Sequence, residues 1–169
     1  MDKFQKYAYW VIIASIMLWC FLIFIPPIIA YFEEPSKSVS SYAYRCFSNI
    51  CHQHESRSLI IFGHKLAVCG RCSGIYFGAL LGALLFPFLK PGRNLPVRLL
   101  WIIITLPMLI DVFLNTFGMF TSSNLIRILT GAFFGAGSIS IILPSAIEAI
   151  SKLLSQLYHH KGVTNESKT

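Results

Sequence analysis

The chain has 169 residues, of which 55% are hydrophobic and only 12% are charged. A soluble domain has about 25% charged residues, so the composition excludes an ordinary soluble domain and indicates an integral membrane protein. The formal net charge is +7, but the basic residues are scattered and form neither a basic helix nor an aromatic platform. We therefore expect no nucleic-acid partner, and we assign the positive charge to loops that orient membrane spans.

Four apolar stretches have about the length needed to cross a hydrocarbon core, which is about 20 residues. The predicted spans are residues 9–31, 69–89, 99–120 and 125–147. The first is too long for the apolar region of a signal peptide, so we expect an uncleaved anchor. The predicted fold is an all-α integral membrane protein, a compact bundle of about four transmembrane helices.

Polar segments flank the predicted spans. They are residues 1–8, 32–68, 90–98 and 148–169. The short loop after the second span contains Lys90, Arg93 and Arg98. Lysine and arginine are enriched in short cytoplasmic loops, so we place this loop and both termini in the cytoplasm of a cell-membrane protein. The cysteine- and histidine-rich segment between the first two spans is then extracytoplasmic.

Glycines recur at every fourth position in two of the spans. Gly74, Gly78 and Gly82 lie in the second span, and Gly131 and Gly135 lie in the fourth. Small residues at this spacing form one helix face on which backbones can approach closely, and lipid offers no hydrophobic driving force for association. The pattern predicts tight helix packing rather than a ligand site.

Thiol and imidazole side chains are concentrated around the start of the second span. They are Cys46, Cys51, His52, His54, His64, Cys69 and Cys72. A C-x-x-C pair brings two thiolates to one metal ion or to each other, and a second nearby pair can complete a tetrahedral shell. The start of a helix also lowers the pKa of a thiol, which favours both metal ligation and redox chemistry.

These side chains leave three interpretations open. The first is a zinc site with four ligands, Cys51, His52, Cys69 and Cys72. Since adjacent cysteine and histidine ligands are unusual, His54 or His64 could replace the histidine of this set. The second is thiol–disulfide chemistry in an oxidising compartment, with Cys46 paired to Cys51 and the C-x-x-C cysteines paired to each other. The third is structural disulfides or inert thiols.

Polar side chains inside the predicted bundle form a second candidate feature. Asp111 lies within the third span, where an ionisable group costs about 2.5–3.5 kcal/mol and should find a partner in the bundle interior. Asn115 follows one turn later, and Arg127 enters the fourth span from the same side. These residues could form a structural clasp, with Asn115 or water between the two charges. Alternatively, they could line a pocket with Arg57 and Arg71 for an anionic lipid headgroup.

Two motifs resemble those of an uncharacterised family of small prokaryotic membrane proteins with several spans, a domain of unknown function. The first motif is Cys51-His52-Gln53, Arg57-Ser58, Gly63, Cys69-x-Arg71-Cys72 and Gly74-Ile75-Tyr76-x-Gly78. The later motif is Asp111, Gly118, Ser123-Asn124, Arg127 and Thr130-Gly131. The resemblance covers about residues 45–135. It implies a bacterial or archaeal membrane protein in which Cys51, His52, Cys69 and Cys72 belong to the common pattern.

A looser similarity is to the vitamin K epoxide reductase family, which are small helical bundles that work with quinones. There a loop cysteine pair acts with a C-x-x-C pair close to the membrane, and Cys46 and Cys51 would be the loop pair here. The C-x-x-C opens the second of four spans rather than lying later in the chain. By analogy alone, this similarity implies redox chemistry.

The function that these features favour is a metal-dependent enzyme acting on a lipid or lipid-linked headgroup. In this interpretation zinc is held by Cys51, His52, Cys69 and Cys72. An anionic group is held by Arg57, Arg71 and Arg127, and Asp111 acts as an orienting group or as a general base. A shell of four protein ligands would be closed, so catalysis would then depend on the neighbouring residues. The alternatives are a thiol–disulfide oxidoreductase coupled to quinone and a non-enzymatic accessory or assembly protein.

Overall fold

Helices make up most of the described chain. The computed structural model describes residues 2–33, 39–88, 96–119 and 121–166. The six α-helices are α1 (Lys3–Leu22), α2 (Ile25–Phe32), α3 (Val39–Ser48), α4 (Gly70–Leu85), α5 (Val97–Thr116) and α6 (Asn124–Glu166). A short 3-10 helix (Glu55–Arg57) and the strands β1 (Ser58–Ile61) and β2 (His64–Cys69) lie between α3 and α4.

Three described helical segments are long and apolar enough to cross a membrane. They are Lys3–Phe32, Val97–Thr116 and Asn124–Leu157. The predicted second span corresponds to α4, which is apolar but has 16 residues, or about 24 Å of helix. The fold is therefore that of a helical membrane protein, as predicted. The count of four spans and their orientation remain predictions.

The helices differ from the predicted spans in their bounds. The first span is divided into α1 and α2, because Pro26 and Pro27 occupy the first turn of α2. Proline is tolerated there, since the first turn of a helix lacks intrahelical partners for its N–H groups. The fourth span continues as one helix to Glu166, so α6 includes most of the tail predicted as a separate polar segment.

A two-stranded antiparallel hairpin corrects the all-α prediction in the polar segment. In its register Ile61 pairs with His64, which leaves a loop of two residues, Phe62 and Gly63. Both loop residues have positive φ, +53° and +80°, as a type I′ turn requires. The apolar run of β1 is too short to span a membrane. It pairs instead with β2, whose Leu66, Ala67 and Val68 are fully buried against Ile23 of the bundle.

The glycine pattern sets the packing of α4 against α6. The two helices run parallel, and a Cβ placed on Gly74 or Gly78 would overlap the backbone of Ile128 or Ala132. Gly135 of α6 makes the same close approach to α4. The backbones are therefore in contact along this interface, as the spacing predicts.

We expect Gly78→Ala to destabilise the bundle, because the new methyl group would force the two backbones apart. Overpacking of this kind costs about 1–3 kcal/mol, which should exceed the gain in helix propensity. Gly70→Ala in the same helix is the matched control, since its Cβ would lie 3.5 Å from the nearest atoms, an ordinary contact. Thermal unfolding in detergent checks this. Equal midpoints for the two variants would contradict the packing argument.

The neighbouring helices run antiparallel to this central pair. The Tyr9 hydroxyl of α1 donates to the Ala83 carbonyl near the end of α4, whereas Trp19 contacts Tyr76 nearer its start. In α5, Ile104 packs at Gly137, deep in α6. The start of α4, the end of α5 and the start of α6 therefore meet at one end of the bundle, beside the hairpin.

Candidate metal centre

Three cysteines meet where the hairpin joins α4. The Sγ atoms of Cys51, Cys69 and Cys72 all lie within 4.8 Å of one another. Cys51 follows the end of α3, Cys69 ends β2 and precedes the first residue of α4, and Cys72 lies in the first turn of α4. The Cys69 backbone N–H donates to Cys51 Sγ at 3.1 Å, which fixes the loop cysteine to the helix start.

The three sulfurs fit a tetrahedral zinc ion. Two thiolates bound to such an ion at about 2.3 Å would lie about 3.8 Å apart, and the Cys69 and Cys72 sulfurs are 3.6 Å apart. Zinc sites with three protein ligands keep the fourth position for water or substrate. The donor set therefore suits zinc with one open position.

Hydrogen bonds stabilise the thiolate form of Cys51. The thiols of Cys69 and Cys72, followed by the backbone N–H groups of Gln53 and Cys69, hold the pKa of Cys51 well below its usual range, against the effect of burial. These donors favour the thiolate, which is the form that binds metal. Cys51 could therefore serve as a metal ligand together with Cys69 and Cys72.

The histidines of the predicted ligand set lie outside the sulfur group. His52 is exposed and its ring is parallel to that of His54, with 6.3 Å between the ring centroids. Residues 51–54 have no regular structure, and the His52 ring nitrogens do not lie within 4.8 Å of all three sulfurs. Cys46 is exposed on α3 and is not part of the group either.

A buried ion pair lies beside the cysteines. Arg71 donates through Nε to Asp111 Oδ2 at 2.7 Å, and its Nη2 lies 2.6 Å from the same oxygen. Asp111 is thus bound by the arginine that stands between the two cysteines of the C-x-x-C motif. Sequence reasoning placed both residues at the site but missed this direct pairing, because a partner on another helix leaves no spacing signal.

Asn115 connects this pair to Arg127. Its Nδ2 donates to Asp111 Oδ1 at 3.5 Å and to the Asp111 carbonyl at 3.3 Å, and its Oδ1 accepts from Arg127 Nη2 at 3.0 Å. The predicted bridge between the two charges is therefore present. Ser122 belongs to the same hydrogen-bond network, because its Oγ accepts from Arg127 Nε at 3.3 Å and contacts Asn115. Ser122 was not predicted, since a serine just before a helix is ordinarily a cap.

The cysteines and the arginines share one cavity of about 380 Å³. Its lining is Ile50, Cys51, His52, Gln53, His54, Arg57, Cys69, Arg71, Cys72 and Arg127. The structure thus brings together all the predicted metal-binding and arginine positions. Asp111 does not line the cavity, but it forms an ion pair with Arg71, which does.

These observations define a helical membrane protein with a three-cysteine cluster beside an arginine-lined pocket. The chain belongs to the family DUF2085, described as a predicted membrane protein, whose family model matches residues 51–143. This match confirms the resemblance drawn from the two motifs.

Two archaeal relatives extend the similarity along the chain. An uncharacterised protein of Methanocaldococcus jannaschii is 39% identical over 153 residues, covering 88% of this chain and 98% of the relative. An uncharacterised protein of Methanothermobacter thermautotrophicus is 33% identical over 115 residues, covering 68% of this chain and 95% of the relative. No solved structure matches the chain significantly.

Proposed function

We propose that this protein is a zinc-dependent membrane enzyme that acts on a lipid or lipid-linked headgroup at the extracytoplasmic surface. The observation that carries the proposal is the arrangement of Cys51, Cys69 and Cys72 around one point at the wall of the arginine-lined pocket. Three protein ligands are the number found in catalytic zinc sites, whereas structural sites have four.

Each group in the pocket has a role in this proposal. The three thiolates hold the ion, and zinc would supply a Lewis acid that polarises an oxygen of the headgroup. Arg57 and Arg127 bind the anionic part of the substrate. Asp111 holds Arg71 in place between the two helix cysteines, which keeps the metal side of the pocket rigid.

A thiol–disulfide oxidoreductase is the second candidate, because the Cys69 and Cys72 sulfurs are only 3.6 Å apart. These two residues could form a reversible disulfide. The relay scheme also needs a loop pair, however, and Cys46 lies outside the sulfur group that contains Cys51. The geometry therefore supports the metal site better. A non-enzymatic accessory protein would share the metal centre but would turn over no headgroup.

Cobalt substitution tests the number of ligands. We expect cobalt-loaded protein to show thiolate charge-transfer absorption for three thiolates, and we expect added imidazole to change its visible spectrum by filling the open position. His52→Ala should leave the starting spectrum unchanged, because His52 lies outside the group. A spectrum that is insensitive to imidazole, or that changes in His52→Ala, would show a closed four-ligand site.

Turnover is tested in proteoliposomes made from a total polar lipid extract. Mass spectrometry should detect a zinc-dependent change in one class of headgroup with the wild-type protein and none with Cys69→Ser. Equal lipid profiles with the two proteins would contradict the enzymatic part of the proposal.

A further inference from the structure

We infer that Arg127 and Arg57 form a binding site for a phosphate group, so that the substrate of the proposed enzyme is a phosphate ester. This inference rests on the proposed function and specifies its substrate. It starts from a difference between the arginines of the pocket: Arg71 has a carboxylate partner, whereas the partners of Arg127 among the described residues are all neutral.

Arg127 is a buried cation whose hydrogen-bond partners in the described structure are uncharged. Its residue is only 7% exposed, and its three guanidinium nitrogens donate to Ser122 Oγ, Asn124 Oδ1 and Asn115 Oδ1 at 3.3, 3.4 and 3.0 Å. Burying a charge is costly unless an opposite charge compensates it. The amide and hydroxyl oxygens orient the guanidinium beside the cavity but do not neutralise it.

The carboxylate of the network is committed to another arginine. Asp111 Oδ2 accepts from both Nε and Nη2 of Arg71, at 2.7 and 2.6 Å. Asn115 separates this carboxylate from Arg127. Asp111 thus compensates Arg71, and the positive charge of Arg127 remains for a ligand.

Arg57 adds a second cation at the mouth of the cavity. It ends the 3-10 helix that precedes β1, and it is exposed, so its charge can reach a ligand without having been buried. Three arginines in the lining exceed the single negative charge of Asp111, and zinc would cancel most of the thiolate charge. The occupied metal site would therefore leave the pocket positive.

The geometry favours phosphate over carboxylate. The two cations belong to different elements, the 3-10 helix and α6, and the sulfur group forms a third side of the same cavity. A tetrahedral phosphate has enough oxygens to accept from both guanidinium groups and still direct one towards the metal. A carboxylate has two oxygens and could satisfy one arginine bidentately.

Binding of three probes to detergent-purified protein tests the inference, with the zinc content measured in each sample. The probes are inorganic phosphate, dihexanoyl phosphatidic acid and dihexanoylglycerol, the same lipid without its phosphate. We expect wild-type protein to bind phosphatidic acid more tightly than dihexanoylglycerol. Arg57→Gln should weaken that binding about tenfold, the loss expected for one charge-assisted hydrogen bond, at unchanged zinc content. Arg127→Lys should also weaken it, because lysine keeps the charge but lacks the planar fork.

Arg45→Gln is the matched control, since Arg45 is exposed on α3 and does not line the cavity. It removes one charge from the same segment and should leave binding unchanged. Arg57→Gln decides the test if Arg127→Lys does not fold. Equal affinities for Arg57→Gln and Arg45→Gln would overturn the inference, as would equal binding of phosphatidic acid and dihexanoylglycerol or an absence of binding.

The same measurements distinguish a lipid phosphate from a soluble phosphate compound, and they test the phosphate site separately from the zinc enzyme. Phosphatidic acid binding much more tightly than inorganic phosphate supports a lipid phosphate, and equal affinities support a soluble phosphate compound. Both results support the phosphate site. Protein that contains zinc but does not bind phosphate would overturn this inference without contradicting the metal centre. Phosphate binding without zinc would support this inference and contradict the zinc enzyme.

Discussion

Replacing Cys51 by alanine is expected to reduce the zinc content from about one ion per chain to near zero. Cys51 is the one cysteine of the group that lies in the loop, and its sulfur accepts the Cys69 backbone N–H at 3.1 Å. Without it, two thiolates remain one helical turn apart, and two ligands hold zinc far more weakly than three. The same variant should also loosen the loop, because Cys51 belongs to the buried cluster with Ile23 and Leu66.

The control for this prediction is Cys46→Ala. Cys46 lies in the same polar segment but is exposed and outside the sulfur group, so we expect wild-type zinc content. Elemental analysis of the two purified variants provides the comparison. Loss of zinc in Cys46→Ala, or full zinc in Cys51→Ala, would contradict the assignment of the ligands.

Asp111→Asn is expected to destabilise the fold by about 3–5 kcal/mol, because it leaves the buried Arg71 charge without its partner. The side chains of Arg71 and Asp111 are only 15% and 6% exposed. The substituted amide keeps the shape of the carboxylate but not its charge. Chemical unfolding in detergent micelles measures the change in free energy.

Glu148→Gln provides the matched control. Its ion pair with Lys152 is 2.7 Å long, but the two side chains are 63% and 71% exposed, so the change should be near zero. We also expect Arg71→Met combined with Asp111→Leu to recover much of the lost stability, since removing both charges leaves none unpaired. Similar unfolding free energies for Asp111→Asn and Glu148→Gln would refute a buried role for this pair.

The sequence predicted the helical membrane fold and the helix contacts well, because hydropathy and glycine spacing are local patterns. Gly74 and Gly78 lie against α6, and the predicted bridge through Asn115 is present. The hairpin was not predicted. Its turn uses Phe62, which adopts a left-handed conformation that is uncommon for an aromatic residue, so the usual turn signal is weak.

The candidate site was predicted in its residues but only partly in its geometry. The sequence pointed to Cys51, Cys69 and Cys72, and their sulfurs lie together. It also pointed to His52, which lines the same cavity outside the sulfur group, so its role as a ligand stays a prediction. It placed Asp111 near Arg127, whereas the direct partner is Arg71 of another helix. Such pairings depend on the packing of α4 against α5 and α6, which no short motif encodes.

Metal analysis with thiol counting before and after chelation tests most directly whether Cys51, Cys69 and Cys72 hold a metal ion. We predict about one zinc per chain and three thiols that react only after the chelator is added. The exposed Cys46 should react before chelation. Zinc-free protein with a reducible disulfide between Cys69 and Cys72 would contradict this metal site.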